Sequence, residues 1–371
     1  MTGMGNVWGR AVRVTLFGES HGETIGAVLD GLAAGVAVND ADIARQLSLR
    51  SPGGIGSTAR REPDDFRVVS GVRAGRSTGA PITVLIPNRD VKSEDYDSVG
   101  TVVARPGHAD FTAAVKYRGF ADARGGGHFS GRLTAALVAV GAIARRALED
   151  KGIRVATHIA RLGGVADRPF SAENLAQDME RVNGELFAVL DNARGEAMRA
   201  EIARAAEDAD SLGGVLETVV TGLPVGVGEP WFEGVESVLA QGLLAIPAVK
   251  GVEFGDGFSL ADVRGSQAND AFCLRDGRMM TETNHCGGIL GGITDGMPLC
   301  VRCAVKPTPT IGREQRTVNL KTVQETTLRA SGRHDVAIVP RARAVVDAVA
   351  ALGLCDLLTL RYGSAWLGES D

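Results

Sequence analysis

Two alanine-rich segments of this chain are apolar on nearly every side, and they constrain its fold more than any other feature. Residues 133–148 read LTAALVAVGAIARRAL, and residues 340–360 read PRARAVVDAVAALGLCDLLTL. A helix beside solvent carries one apolar stripe, whereas a helix that is apolar all round must be buried on most sides. Two such helices favour a central helical layer covered by sheets over helices that flank a single sheet.

Strand-like segments surround these two helices in the sequence. The runs AVRVTLF, AVLDG, FRVVSGV and ITVLIPN lie in the first hundred residues, and the C-terminal half alternates similar runs with glycine-rich turns. The charged, amphipathic residues 195–210 are expected on the surface, and Asn39 is expected to cap a helix. These helix and strand patterns predict a mixed α/β (α+β) fold. Because no linker or low-complexity segment divides the chain, we predict a single domain, residues 1–371.

Composition bounds the classes of function. Of 371 residues, 44% are hydrophobic and 23% are charged, and the formal net charge is -5. The chain has no run of 18 uncharged apolar residues and no N-terminal h-region, so we expect no membrane span, no signal peptide and a cytoplasmic location. The acidic balance offers no general attraction to nucleic acid, so local arginine clusters must attract any anionic ligand.

The cysteines favour neither disulfides nor a metal site. Five cysteines are an odd number in a large chain, which argues against a disulfide framework. Cys300 and Cys303 form a CxxC in a strand-like segment with no second CxxC and no nearby ligand histidine. We interpret both as ordinary half-buried thiols, and we predict no metal.

A glycine run immediately before the first apolar helix has the composition of a phosphate-binding loop. Residues 124–132 read RGGGHFSGR. Three consecutive glycines let backbone N–H groups approach an anion closely, and the following helix presents its positive dipole end. The run lacks the lysine of a P-loop and the spacing of a dinucleotide motif. The alternative is an ordinary loop.

Histidines recur beside glycines elsewhere in the chain. Ser20 and His21 lie between glycines in GESHG, and His108 follows a Pro-Gly turn in RPGHAD. Such turns can hold a side chain in one direction. His158, in the strand-like RVATHIARL, is interpreted as structural. Arg50 and Arg60 flank a Gly/Pro/Ser loop that could be either a solvated surface segment or a lid that brings arginines over a polyanion.

Seven ordered blocks that begin at residue 18 and spread over nearly the whole chain resemble chorismate synthase. They read GESHGETIGAVLDG, RPGHADF, RGGGHFSGR, AVKGVEFGDGF, NHCGGILGG, KPTPTIG and GRHDVAIVPRA. The resemblance implies a β-α-β sandwich, a homotetramer, and a lyase that removes phosphate from 5-enolpyruvylshikimate 3-phosphate to give chorismate. It also implies a requirement for reduced FMN, with NADPH as the candidate reductant of the flavin.

The resemblance assigns roles residue by residue. His21 matches the histidine that protonates the departing phosphate, His108 the one beside the reduced flavin, and Asp335 the aspartate that deprotonates flavin N5, with Ser20 and Ser130 as relay hydroxyls. The implied FMN contacts are His128, Phe129, Ser130, Pro247, Ala248, Gly291, Lys306, Pro307, Thr308, Pro309, Thr310 and Arg333. The implied substrate contacts are Arg50, Arg60, Arg105 and Arg132. The substrate carries two carboxylates and a phosphate, which gives these arginines a reason to converge.

Some readings stay open at the level of sequence. Of the family's NADP-contacting arginine pair only Arg50 carries over, and the phosphate loop reads HFS where many members read RSS. Asp335 could instead cap the following helix or pair with a nearby arginine, and His334 could be the functional member of that pair. A flavin-dependent oxidoreductase and a non-catalytic phosphate-ligand module remain the competing functions.

Overall fold

The computed structural model describes residues 5–51, 53, 56, 63–89, 102–329 and 335–368. Its helices are α1 Asp40–Arg50, α2 Asp110–Lys116, α3 Thr134–Glu149, α4 Leu175–Gly184, α5 Asn192–Glu207, α6 Val235–Ala245, α7 Gly265–Ala268 and α8 Val339–Tyr362. Its strands are β1 Val7–Trp8, β2 Arg13–Phe17, β3 Thr24–Asp30, β4 Arg67–Ser70, β5 Val72–Arg73, β6 Arg76–Ser77, β7 Ile82–Pro87, β8 Arg154–Leu162, β9 Val165–Ala166, β10 Gly214–Thr221, β11 Val249–Phe254, β12 Phe272–Arg275, β13 Arg278–Thr281, β14 Ile289–Leu290, β15 Ile293–Thr294, β16 Leu299–Val305, β17 Glu314–Asn319 and β18 Gln324–Arg329.

The two apolar segments form the centre of the molecule. They become α3 and α8, which pack against each other and are buried along most of their length. Gly141 permits this close approach, because a Cβ there would overlap Ala348. The contact pairs Gly141 with Ala348 and Ala144 with Cys355 advance together along the two helices, so α3 and α8 run in the same direction.

Two antiparallel sheets cover this helical layer. The first has the strand order β1-β2-β3-β7-β4, and β3 and β7 pack on α3. The second has the order β11-β16-β10-β8-β9, and β8 and β10 pack on α8. Strands β7 and β16 alternate buried and half-exposed side chains, as expected where one sheet face meets a core. The predicted helical layer between sheets is therefore confirmed.

Local expectations from the sequence also hold. The Asn39 side chain accepts a hydrogen bond from Ala41 N at 2.8 Å and caps α1. Helix α5 lies on the surface and buries Met198, Ile202 and Ala205 on one side. All five cysteines are free, and Cys300 is half-buried as expected. Cys303 is fully buried instead, because it faces the core from β16, and burial raises its pKa to about 12, which keeps it a thiol. Neither core helix nor any other described helix combines the length and the apolarity that a membrane crossing requires.

His158 is the centre of a buried ionic cluster on the second sheet. Its Nδ1 lies 3.1 Å from Asp167 Oδ2 and its Nε2 lies 2.9 Å from Glu217 Oε2, with both ring nitrogens inaccessible to water. Burial alone lowers the pKa of His158, but the hydrogen bonds to Asp167 and Glu217 outweigh it and raise the pKa above 6.5. His158 is therefore structural, as the sequence suggested. Its protonated ring links β8 to Glu217 of β10.

This cluster predicts a pH-dependent stability. The pKa of His158 is higher in the folded than in the unfolded protein. Its contribution to the free energy of unfolding is therefore fully present below pH 6.5 and is lost as the pH rises through the folded-state pKa. The pKa values of Asp167 and Glu217 are lowered by folding. The two carboxylates therefore contribute to the free energy of unfolding above pH 4.5, and this contribution is lost on acidification. We expect His158→Gln to reduce the free energy of unfolding by about 3 kcal/mol near pH 5.5 and by less at pH 8.5.

Urea denaturation of both proteins between pH 5 and pH 9 measures this difference. His285→Gln is the matched control, because His285 pairs with Asp256 at 2.6 Å in a half-exposed position, where ion pairs contribute little. A His158→Gln deficit that does not shrink as the pH rises would contradict the account.

Candidate active site

One cavity of about 520 Å³ opens where the N-terminal ends of α3 and α8 meet. Thr134 of α3 and Arg341, Ala342 and Val345 of α8 form its floor. Because the two helices run in the same direction, both direct the positive ends of their dipoles toward this cavity. A volume of this size suits a cofactor or a small substrate.

The glycine loop forms one wall of the cavity. Gly125, Gly126 and Gly127 have φ values of 58°, 90° and 51°, a left-handed run that residues with a Cβ rarely adopt. Gly127 O accepts a hydrogen bond from Ser20 N at 3.0 Å, and the Ser130 side chain caps the following turn by accepting from Arg132 N at 3.2 Å. The run of three glycines therefore joins the segment around Ser20 to the start of α3.

His21 lies directly behind this loop. Its residue is 5% exposed, and a Cβ on Gly125 would overlap its ring. Ser20 Oγ lies beside the same glycine. Gly125 itself lines the cavity, so the backbone of one glycine separates His21 from the cavity.

The turn that carries His108 is docked on the segment that contains Lys306. His108 Nε2 lies 2.6 Å from Thr310 Oγ1, and Lys306 Nζ donates to Gly107 O at 2.9 Å. Arg105 holds Asp110 with two side-chain bonds of 2.8 and 2.7 Å. Burial raises the pKa of Asp110, but the bonds from Arg105 outweigh it and keep that pKa below its usual value. The turn and the KPTPT segment therefore form one rigid wall.

Arg50 and Arg132 share one buried carboxylate. Arg50 Nη1 donates to Asp64 Oδ2 at 2.9 Å, and Arg132 Nη1 donates to Asp64 Oδ1. Burial lowers the pKa of Arg50 to about 10, which leaves it a cation at neutral pH. Burial raises the pKa of Asp64, but Arg50 and Arg132 outweigh it and hold that pKa below its usual value. Both arginines line the cavity.

Asp335 reaches the cavity from the segment before α8. Both of its carboxylate oxygens accept from Arg341 Nη1, at 2.8 and 2.9 Å. Arg341 Nε also donates to Arg50 O at 2.9 Å. Asp335 is thus the partner of a nearby arginine, while Ile338 occupies the N-cap position of α8.

The cavity is cationic although the chain is acidic. Five of its side chains are basic and three are carboxylic; the basic ones are Arg50, Arg105, Arg132, Lys306 and Arg341, and the carboxylic ones are Asp110, Asp122 and Asp335. With the two helix N-termini this excess favours an anionic ligand. Apolar surface from Phe129, Ile246, Ile338 and Val345 offers room for a ring.

Most of the residues singled out from the sequence come together here. The cavity lining includes His108, Phe129, Ser130, Arg50, Arg105, Arg132, Pro247, Ala248, Lys306, Thr308, Pro309 and Asp335. Ser20, His21 and Thr310 lie directly behind that lining. Pro307 packs beside Gly213 instead. Arg60, Arg333 and His334 lie outside the described residues.

Two residues expected at the cofactor lie elsewhere in this chain. His128 turns away from the cavity, with Nδ1 2.8 Å from Gly18 O and Nε2 3.0 Å from Asn6 Oδ1. Gly291 lies in the β14–β15 turn beside the N-terminus of α6, whereas Pro247 follows its C-terminus. Eleven residues of helix separate these two places by about 16 Å.

The sequence reasoning missed four residues of the site. Asp64 and Arg341 orient the residues around the cavity, Asn88 Oδ1 accepts from Arg132 Nε at 3.0 Å, and Asp110 holds Arg105. Asp64 belongs to the charged run RREPDD and Arg341 to PRARA, where several neighbours of the same type carry no distinguishing signal. Asp110 follows Arg105 by five positions, and Arg341 follows Asp335 by six, so these two pairings lie within reach of sequence reasoning.

Comparisons with known proteins agree on one family. The family model described as chorismate synthase matches residues 12–359. A chorismate synthase of Dehalococcoides mccartyi is 46% identical over 361 residues, which cover 97% of this chain and 98% of the relative. One of Thermococcus kodakarensis is 46% identical over 360 residues, 97% of this chain and 99% of the relative. A crystal structure of chorismate synthase superposes with a TM-score of 0.77 at 30% identity, covering 96% of this chain and 94% of the other.

The glycine loop yields a prediction that needs no ligand. Gly125→Ala places a Cβ on the His21 ring and forces a strained φ, so we expect the free energy of unfolding to fall by about 1–3 kcal/mol. Gly131→Ala is the matched control, because the position is open and its φ is not left-handed. Urea denaturation measures both variants. Equal stabilities would show that Gly125 and His21 are not packed as described.

Proposed function

The chain belongs to the chorismate synthase family of carbon-oxygen lyases acting on phosphates, and from that premise we propose a specific reaction for it. The proposed reaction is the anti-1,4-elimination of phosphate from 5-enolpyruvylshikimate 3-phosphate, which gives chorismate and depends on reduced FMN. This reaction is the last common step of the shikimate pathway to the aromatic amino acids. The observation that carries the proposal is a single cationic cavity lined by both His108 and Asp335.

The charges of the cavity suit the proposed substrate. It bears two carboxylates and a phosphate, and Arg50, Arg105 and Arg132 line the cavity from three different segments of chain. Planar guanidinium groups bind carboxylates and phosphates through paired hydrogen bonds. Each of these arginines is already tied to a carboxylate, so the cations are held in place before a ligand arrives.

The same lining also suits FMN. Apolar side chains offer a surface for the ring, and Lys306 with the hydroxyls of Thr308 and Ser130 offers a cation and donors for a phosphate. Phe129, Pro247 and Ala248 would complete the contact. When bound, reduced FMN supplies electron density that assists loss of phosphate from an otherwise unactivated ring.

Proton transfers are assigned to residues on two sides of the cavity. Asp335 is the proposed base for the proton on flavin N5. Arg341 holds both carboxylate oxygens of Asp335 in one orientation. His21 is the proposed acid for the departing phosphate, separated from the cavity by Gly125. His108 is fixed by Thr310 at the flavin side, and Ser20 and Ser130 supply hydroxyls along the glycine loop.

We assign Arg50 to the substrate rather than to a pyridine nucleotide. Its side chain is 7% exposed and three of its N–H groups donate to Thr134, Asp64 and Gly131. A residue so deeply buried can meet a ligand that enters the cavity but offers little surface to a second large cofactor. NADPH remains the proposed source of electrons for the flavin, with its contacts unassigned.

We propose that the chain assembles as a homotetramer in the cytoplasm. Large apolar side chains project from the surface at Trp231, Phe232, Phe258, Phe272 and Leu274, each at least 65% exposed. Exposed apolar groups in such number favour contacts between copies. Five free thiols suit a reducing compartment. Light scattering should give about 155 kDa, four times the chain mass of 38.7 kDa; a value near 39 kDa contradicts the assembly.

The reaction itself is tested with purified protein, pre-reduced FMN and 5-enolpyruvylshikimate 3-phosphate under nitrogen. We expect many molecules of phosphate and chorismate for each flavin, with no net consumption of reductant. An oxidoreductase would consume reductant in proportion to product. A binding module would release no phosphate at all.

Two substitutions assign the turnover to this cavity. Asp335→Asn and His108→Ala should each lower kcat by at least about 100-fold, while FMN binding changes by only a few-fold. Asp208→Asn is the matched control, because it removes a carboxylate from an exposed aspartate–arginine pair that does not line the cavity. Full activity in Asp335→Asn would remove that residue from the mechanism.

A further inference from the structure

Asp64 is a buried carboxylate next to the cavity, although it is not part of the cavity lining. Its side chain is 1% exposed. Three donors converge on its two oxygens: Arg50 Nη1 at 2.9 Å, Ser51 Oγ at 2.9 Å and Arg132 Nη1. Each oxygen therefore has a charged partner, which is the condition for keeping an ionised carboxylate buried.

The backbone at Asp64 is held in a conformation that is uncommon for residues with a Cβ. Its φ is +48°, in the left-handed region that aspartate tolerates better than most residues but still at some cost. The three bonds to its side chain offset that cost. The chain thus accepts local strain in order to place this carboxylate between two guanidinium groups.

The two arginines would repel each other without a shared anion. Arg50 donates from Nε to Thr134 Oγ1 at 3.0 Å and from Nη2 to Gly131 O at 3.2 Å, which fixes the plane of its guanidinium. Within the described part of the chain, these bonds and the one to Asp64 use three of its five N–H groups. The other two remain for a ligand in the cavity that Arg50 lines.

We propose that Asp64 is a positioning residue for substrate binding. It acts as an internal counter-anion that holds Arg50 and Arg132 side by side, so that the two positive guanidinium groups together attract one carboxylate or phosphate of the ligand. The inference rests on the proposed function in that it takes the ligand to be the anionic substrate. Asp64 touches no reacting atom, so its removal should weaken binding far more than it slows the chemical step.

A second buried carboxylate provides a matched control. Asp347 is 1% exposed, lies between Arg145 at 3.4 Å and Arg343 at 3.8 Å, and accepts from Thr157 Oγ1 at 2.6 Å. It does not line the cavity. Asp347→Asn therefore reproduces the loss of a buried charge between two arginines without disturbing the ligand.

The test compares Asp64→Asn with Asp347→Asn in the anaerobic phosphate-release assay. Asp64→Asn should raise KM by about 10- to 100-fold, the range for losing positioned charge-assisted hydrogen bonds, and lower kcat by less than about 10-fold. Calorimetry with oxidised FMN, under which no turnover occurs, should show the same loss of substrate affinity. Asp347→Asn should be destabilised in urea yet keep its KM within about two-fold.

Asp64→Glu keeps the test decisive if Asp64→Asn does not fold. It retains the charge but displaces the carboxylate by one methylene, so KM should still rise by several-fold. A folded variant with unchanged KM, or one whose loss lies in kcat alone, overturns the inference. If the wild-type protein releases no phosphate, the proposed function fails. The role of Asp64 is then tested by calorimetric binding of inorganic phosphate. Equal affinities of the wild-type protein and Asp64→Asn would overturn the inference about Asp64.

Discussion

The parallel packing of α3 on α8 is the interaction on which the rest of the structure depends. The two helices approach closely because Gly141 faces Ala348, and the two antiparallel sheets together with α1 and α6 bury their remaining sides. Since they run in the same direction, both N-termini reach one end of the layer. The glycine loop precedes one helix and Asp335 precedes the other, so a single packing contact brings segments two hundred residues apart to the same cavity.

Electrostatic balance at that cavity is local rather than global. The chain carries a net charge of -5, yet five basic side chains line the cavity against three carboxylic ones. Arg105, Arg132 and Arg341 each hold a named carboxylate, Asp110, Asp64 and Asp335 respectively. These carboxylates compensate the positive charges that are concentrated in this partly buried cavity. They also fix the orientation of each guanidinium group.

The sequence was sufficient for the layers of the fold and for the glycine turns that lie at the cavity, because both leave local patterns. Apolarity on all sides marked α3 and α8, and glycine neighbours marked His21 and His108. Other features depend on distant partners. Nothing beside Asp64 indicates two arginines that lie 14 and 68 positions away, and nothing in GGGHFS indicates that His128 turns toward Asn6 while Phe129 and Ser130 face the cavity. Gly291 belongs to a matching motif, yet α6 separates it from the cavity of its own chain.

A crystal structure of this protein with FMN and 5-enolpyruvylshikimate 3-phosphate tests the central claim most directly. The account predicts that both ligands lie in the cavity at the N-termini of α3 and α8, with the flavin against His108 and Asp335 and the anionic groups on Arg50, Arg105 and Arg132. Ligands bound on another surface, with those five side chains making no contact to them, would contradict it.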